Sequence, residues 1–460
     1  MPYDPSLHLF CHPWELQTVV HMRRTWNRPA RVQMAPVLAP TEPWEGTSIV
    51  TWGTAHRDPE TGLFKLWYEA WNAERPHPLV SLVCYATSTD GVTWDKPDLG
   101  LFEWEGSRAN NICWMMRDSA PWDYLDSPQV LVDPQAPESE RYRMVIYARV
   151  AAIRRHAFFV LTSPDGVHWT WHDEPFLTET GDRFHCIHDD RRGEYWLTSR
   201  RADLDKDFNA DPPIPRIRSV ERWRSPDLRV WSGPEMLMRP DDADLLDTEF
   251  YSMYPMTAGN GYLGYLEFYD RFVERLHTEL VVSRDGDHWQ RLERTPWLDR
   301  GTEGAWDDMW VFPSSNDPLV VGDRMLVPFG GRGTAHAGRR YRMRPARCSI
   351  GLLEFGRDRW AALTAGQDGG EFVTEPAEVT GDRLCLNVDA EFGDVRVAVL
   401  DAYGGVLEGF RHEEAVPIER DAIEARVTWD TGDSLAALRG RRVRLHVTAA
   451  RASVYGYRFH

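Results

Sequence analysis

The chain reads as an all-β protein, a five-bladed β-propeller followed by a C-terminal β-sandwich, on three observations. A hairpin motif, Ser-x-Asp-Gly-x-x-Trp, returns as "STDGVTW" from Ser88, "SPDGVHW" from Ser163, "SPDLRVW" from Ser225 and "SRDGDHW" from Ser283, with a worn copy, "FGRDRW", ending at Trp360. A second polar turn precedes each copy, as in "RDPETGLFKLWYEAW" and "TAGNGYLGYLEF", and leads into an alternating aromatic and apolar strand. After about Asp368 the motif stops, and short strands of period two take over, among them "RLCLNVDA", "VRVAVLDA" and "RVRLHVTA".

Each repeat therefore predicts four strands, A to D, with a polar turn between A and B and the Asp-Gly turn between C and D. Asp-Gly between two apolar runs favours a hairpin because glycine tolerates positive φ. Five such units at irregular long intervals make a propeller with variable loops. A catalytic group is needed once, whereas Asp90, Asp165, Asp227, Asp285 and Asp358 recur at the same hairpin, so their expected task is to accept backbone N–H bonds in the turn. Helical periodicity is nearly absent; "PWELQTVVHMRR" is the one tempting stretch. The period-two tail predicts a sandwich. The expected division is a propeller over 1–365 and a sandwich over 366–460, with "TAGQDGGEF" as linker.

Composition narrows the function classes. The 460 residues include 21 tryptophans, enough aromatic surface for a large core. A net charge of −18, from 53 basic and 71 acidic residues, argues against a protein that tracks nucleic-acid phosphates. No apolar run approaches the ~20 residues that cross a bilayer. The first residues show no basic region followed by an apolar one, and the six cysteines contain no CxxC pair. The expectation is a cytoplasmic protein with reduced thiols, without a membrane or nucleic-acid partner.

Propeller geometry then places a site. A–B and C–D turns share one face, so functional groups belong to the other mouth, at the starts of the inner A strands and in the B–C connections. Every A strand opens on an acid: Glu45, Asp126, Asp182, Asp247 with Glu249, and Asp307 with Asp308. Packing does not require acids there and like charges repel, so their convergence on one funnel points to catalysis; the alternative is that some cap strands or bond loop amides. The B–C connections offer Glu69 and Trp71, Arg149, Arg200 with Arg201, Glu267 with Tyr269, and Arg332 with His336 as sugar contacts, since aromatic faces stack on sugar rings and charged groups bond hydroxyls. His185 and His188 in "HCIH" point to opposite faces of a strand and so cannot share one metal ion; His185 either lines the funnel or is a satisfied core histidine. Asp58-Pro59 falls in an A–B turn. "RGTAHAGRRYRMRPARC" is either a solvated loop or a recogniser of an anionic sugar. HExxH, GxSxG and GxxxxGK[ST] motifs are absent from the sequence.

With these motifs in hand, the segment from about Trp44 to Trp360 resembles the five-bladed propeller glycosidases of glycoside hydrolase families 32 and 43, and the tail is similar to the sandwich appended to family 32-like proteins. The hairpin motif itself resembles the Asp-box of propeller glycosidases. The resemblance implies three inner-strand carboxylates, and "LDSPQV" carries Asp126 across as the modulating aspartate. Glu45 stands in for a missing Asn-Asp-Pro-Asn-Gly motif, "GDRFHC" offers Asp182 in place of a Glu-Cys motif, and Glu249 and Asp308 are additional acids. The expected activity is an exo-acting glycoside hydrolase on a small oligosaccharide or glycoside, without a cofactor or metal. The rivals are a lyase or transferase, in which His185, Tyr251 or His336 would move the proton, and a non-catalytic sugar-binding propeller.

Overall fold

The computed structural model describes residues 3–71, 81–115, 122–133, 136–150, 155–172, 174–178, 181–201, 217–335 and 347–460. Strands dominate, and the helical elements among these residues are four short 3-10 turns.

The first four blades follow the repeat. Their inner strands are Ser48–Arg57, Trp122–Val132, Phe184–Asp189 and Thr248–Ala258, each paired antiparallel with a second strand that pairs with a third. The fourth strands are short, Thr170–Trp171 in blade 2 and Trp289–Gln290 in blade 4. In blade 1 the fourth strand, Ile112–Met115, lies well beyond the Asp-Gly turn. Blade 5 departs from expectation. Its inner position is shared by Trp310–Pro313 and Leu319–Val321, followed by Arg324–Arg332 and Cys348–Gly356. Its outer strand is Ala30–Arg31, supplied from the N-terminal end, which closes the ring.

The recurring aspartates act as turn acceptors in four copies. Asp165 Oδ1 accepts the main-chain N–H groups of Val167 and His168, each at 2.8 Å, and the Ser163 hydroxyl at 3.0 Å. Asp90, Asp227 and Asp285 repeat the pattern. The turn so formed is glue between blades. Gly166 of blade 2 approaches Trp67 of blade 1 so closely that an added Cβ would stand 2.6 Å from its ring, while the Trp67 indole N–H donates to Gly166 O at 2.6 Å. Gly286 of blade 4 packs as closely on the Trp196 ring of blade 3, its carbonyl accepting from Arg222 at 2.7 Å instead. Glycine also supplies the positive φ, +83° at Gly166; where the motif has leucine, Leu228 adopts φ +63° itself. Asp358 is the exception, buried with φ +62°, so the fifth copy belongs to packing around Trp360 rather than to a capped turn.

The expected domain division requires correction at both ends. "PWELQTVVHMRR" forms a 3-10 turn, Pro13–Glu15, and strands Leu16–Val20 and Met22–Trp26 rather than a helix. These strands and Leu7–Leu9 pair with C-terminal strands: Leu7–Leu9 with Ala452–Phe459, Leu16–Val20 with Gly370–Thr374, and Met22–Trp26 with Ala361–Ala365. The sandwich therefore takes in residues 7–26 and begins at Ala361, not at 366. Pattern reading missed this because Leu16–Val20 presents an exposed face and lacks full alternation. The same N-terminal segment anchors the sandwich to blade 4. His12 Nε2 lies 2.9 Å from Ala258 O, and Asn260 Nδ2 donates to Glu15 Oε1 at 2.7 Å. Sandwich and candidate site thus lie at opposite faces of the propeller, since Ala258–Gly261 is an A–B turn.

Two outcomes test this account. Asp165→Ala removes an acceptor of two backbone N–H groups and should cost about 1 kcal/mol in urea unfolding. Burial raises the Asp165 carboxyl, but its turn hydrogen bonds together outweigh that and hold it at about 2, and N–H donors hold Asp90 at about 2. Because these folded-state values lie below the unfolded one, the stability they confer is full above about pH 4 and drains as pH falls toward 2; Asp165→Ala should lose less over that window. Deleting 361–460 alone should aggregate the chain by baring Phe10, Leu16 and Met22, whereas also deleting 1–26 should restore solubility, as light scattering would show.

Candidate active site

Three inner strands break register at the funnel end: between Val50 and Thr54, between Asp126 and Gln129, and between Phe250 and Ser252. A bulge frees residues from the ladder and re-aims their side chains. The second bulge carries the clearest strain. Ser127 adopts φ +53°, a left-handed conformation that costs a non-glycine residue about 1–3 kcal/mol.

That conformation brings three acids together. The Ser127 main-chain N–H donates to Glu69 Oε2 at 3.1 Å, and its hydroxyl lies 3.0 Å from Asp126 Oδ1 and 3.2 Å from the Asp182 carbonyl. Glu69, on the second strand of blade 1, also accepts the Ser81 hydroxyl and is hydrogen-bonded to Asp126. Burial, and after it the Asp126 charge, push Glu69 well above the usual carboxyl range. Asp182 is the exposed member, with 42% of its side chain open, and pairs with Arg200. Tyr147 lies against both aspartates: burial, then the Asp182 and Asp126 charges, push its phenol up.

Arginine and tyrosine extend the network into blade 4. The Arg200 guanidinium sits 4.9 Å from the Tyr251 ring centre. Arg218 lies 5.3 Å from Tyr251 and 5.4 Å from Tyr269, and pairs with Glu249, which Arg271 approaches at 3.5 Å. Beneath, the axis is plugged. Arg183 and Glu267 form a forked pair with side chains 1% and 2% exposed, and Arg183 packs 5.5 Å from both the Trp52 and Phe312 rings. His185 Nδ1 lies 3.1 Å from Ser315 Oγ, and burial followed by the Arg183 charge holds the imidazole well below its ordinary value, hence neutral.

Of the expected site residues, Asp126, Asp182, Glu249, Arg200, Tyr251 and Tyr269 join this network, with His185 and Glu267 in its floor. Others are placed elsewhere. Glu45 is fully buried and saturated by the Lys96 ammonium at 2.7 Å, the Tyr68 hydroxyl at 2.6 Å and the N–H groups of Thr41 and Glu42, so it clasps a loop instead of facing the funnel. Asp307 is held by Arg31 at 2.8 Å and fastens the closing strand of blade 5. Asp308 accepts the Gly304 N–H at 2.8 Å within its own loop. Asp247 pairs with Asp270, which burial and then the Asp247 charge push up. Arg332 lies 5.5 Å from the Trp310 ring and bonds Thr334 Oγ1 at 2.8 Å, and Trp71 is half-buried at a strand end. His336 and the Arg149 side chain lie outside the described residues. Sequence reading passed over Arg183, Arg218, Trp52 and the Glu69–Asp126 contact; a charged residue inside an apolar inner strand, as in "DRFHC", was the available signal for the first.

Among the described residues no group of three or more His, Cys, Asp or Glu side chains is arranged to hold a metal ion. A cavity of about 1990 Å³ opens at the opposite mouth among the A–B turns of Asp58, Asp133, Asp190 and Asp317. Asp58 there caps its own turn through the N–H groups of Glu60 and Thr61.

No family model and no curated protein matches the chain. Solved structures do. An N-acetylgalactosamine deacetylase from F. plautii, in complex with blood group B trisaccharide, is 15% identical with a TM-score of 0.46, covering 77% of this chain and 94% of that one. A β-1,2-mannobiose phosphorylase from Listeria innocua is 13% identical with a TM-score of 0.49, covering 71% and 96%. A fructofuranosidase variant from Schwanniomyces occidentalis, complexed with fructosylnystose, is 8% identical with a TM-score of 0.47, covering 94% and 99%. Matches at this level leave the chemistry to be read from the side chains.

The floor pair gives a direct test. Arg183→Met strands the Glu267 carboxylate in the axis and should cost about 3–5 kcal/mol in denaturant unfolding. Arg183→Met with Glu267→Leu removes both charges and should recover most of that loss.

Proposed function

We propose that the chain is a glycoside hydrolase in which Asp126 delivers the proton to the leaving oxygen and Asp182 acts on the other side of the scissile bond. One observation carries the reading: Ser127, in a strained turn, bonds both the Asp126 carboxyl and the main-chain carbonyl of Asp182, so that an aspartate in contact with a buried second carboxyl stands beside one that is open and paired with arginine. Glycosidic cleavage needs that asymmetry, a group that holds a proton and a second carboxylate in a different environment. Trp52 supplies an aromatic face for a sugar ring, and Arg218 and Arg271 supply donors for its hydroxyls. The Arg183–Glu267 plug closes the funnel below, so the substrate enters from one end, which favours exo action on a small glycoside. Six unpaired cysteine thiols support a reducing, cytoplasmic location.

A panel of 4-nitrophenyl glycosides identifies the sugar, and the matching methyl glycoside or disaccharide then separates the roles. Asp126→Asn should lose about 10²-fold or more on the unactivated glycoside and less on the nitrophenyl one, whose leaving group needs no proton. Asp182→Asn should lose on both, with melting near wild type. Full activity of either variant on the unactivated glycoside would remove that residue from the mechanism.

A further inference from the structure

Among the described residues no arginine or lysine pairs with Glu69, which is sealed from solvent at 0% exposure. Its surroundings can be enumerated. From its own blade the Ser81 hydroxyl donates to Oε1; from blade 2 the Ser127 N–H donates to Oε2 and the Asp126 carboxyl bonds it; from blade 5 the Cys348 thiol feels its charge. Around Asp126 stand Tyr147, Asp182 and Arg200. Two carboxyl groups in hydrogen-bonding contact inside the protein cannot both ionise without strong repulsion, so the couple retains one proton. Asp126, 3% exposed and at the strained turn, is the member nearer the funnel; Glu69 lies behind it.

We propose that Glu69 is a positioning residue whose sealed carboxyl shares a proton with Asp126, making the two a single acid that stays charged with its proton at neutral pH. The inference rests on the reading of Asp126 as proton donor, but its physical content does not need that reading. The proton moves from Asp126 to the leaving oxygen as the glycosidic C–O bond breaks; the couple, which carried one negative charge, then carries two, and it returns to one when the water that attacks the anomeric carbon gives a proton back to it. The Ser81 and Ser127 donors hold Glu69 in place and stabilise it when charged.

The signs of three substitutions follow. Glu69→Gln removes the like charge, so Asp126 gives up its proton more readily and the alkaline limb of kcat/KM should move down by about one pH unit or more. Ser81→Ala removes a donor to the charged form and should move the same limb up. Neither shift follows from a merely structural role. Infrared spectroscopy of the free enzyme reads the proton without substrate: wild type minus Glu69→Gln at pH 7 should contain the carbonyl stretch of a protonated carboxylic acid. Should Glu69→Gln fail to fold, wild type minus Ser81→Ala over a pH series gives the same band, surviving to higher pH in the variant. Absence of a protonated band at pH 7, or a band whose titration ignores both substitutions, overturns the proposal. If the band behaves as stated while Asp126→Asn retains full activity, the couple stands and the catalytic reading falls.

Discussion

The inner strands of a propeller lie side by side around an axis without forming a continuous ladder, and everything above them depends on how they are tied. Here the ties are side chains that bond the neighbouring strand's backbone. The Val130 N–H donates to Thr54 Oγ1 at 3.0 Å, the Cys186 N–H to Gln129 Oε1 at 2.7 Å and the Ala55 N–H to Asn316 Oδ1 at 2.9 Å. Gln129 Nε2 reaches on to Ser315 O at 3.1 Å, and the Ser315 N–H closes the ring on Gly53 O at 3.1 Å. Each bond satisfies a backbone group that the strand edge leaves open. Polar residues at an axis that hydrophobic packing alone would fill with valine and leucine are therefore structural necessities, and they hold the ends of the strands at the spacing the funnel needs.

Charge is distributed by the same logic. Toward the axis Glu267 is neutralised by Arg183; toward the rim Asp182 and Glu249 are met by Arg200 and Arg218. Arginine suits these positions because its planar guanidinium both bonds a carboxylate and stacks on an aromatic face, as Arg218 does between Tyr251 and Tyr269. Against this background of pairing, the carboxyls bonded to other carboxyls, Glu69 with Asp126 and Asp270 with Asp247, are the places where ionisation is contested.

Much of the fold was legible because it is carried by local chemistry that repeats. Ser-x-Asp-Gly-x-x-Trp announces a capped turn wherever it stands, and alternation announces strands. Where one turn ingredient is lost the sequence misleads: Leu228 takes up the glycine conformation regardless, while Asp358 keeps the aspartate and abandons the turn. Closure by Ala30–Arg31 and the sandwich strands before Trp26 were not legible, since pairing between residues hundreds of positions apart leaves no periodic mark. At the funnel, the starts of inner strands were identifiable as places for acids, but not which way each turned. Glu45 and Asp307 share that placement with Asp126 yet are consumed by Lys96 and Arg31, and only coordinates distinguish a carboxylate that ties a loop from one that faces an opening.

The pairing of Leu9 with Gly456 has a consequence for biosynthesis. Gly456 leaves the ribosome about 20–90 s after Leu9 at ~5–20 residues per second, and the strand around Leu9 waits that long for this partner. Throughout that time blades 1 to 4 can assemble from neighbouring segments, because their pairings are local. Leu7 and Leu9 pack in one cluster with blade residues such as Tyr254 and Tyr262, but Phe10 has no such recourse and stays uncovered until the sandwich arrives. The segment around Phe10 therefore stays exposed during synthesis until residues 361–460 have been made and can cover it.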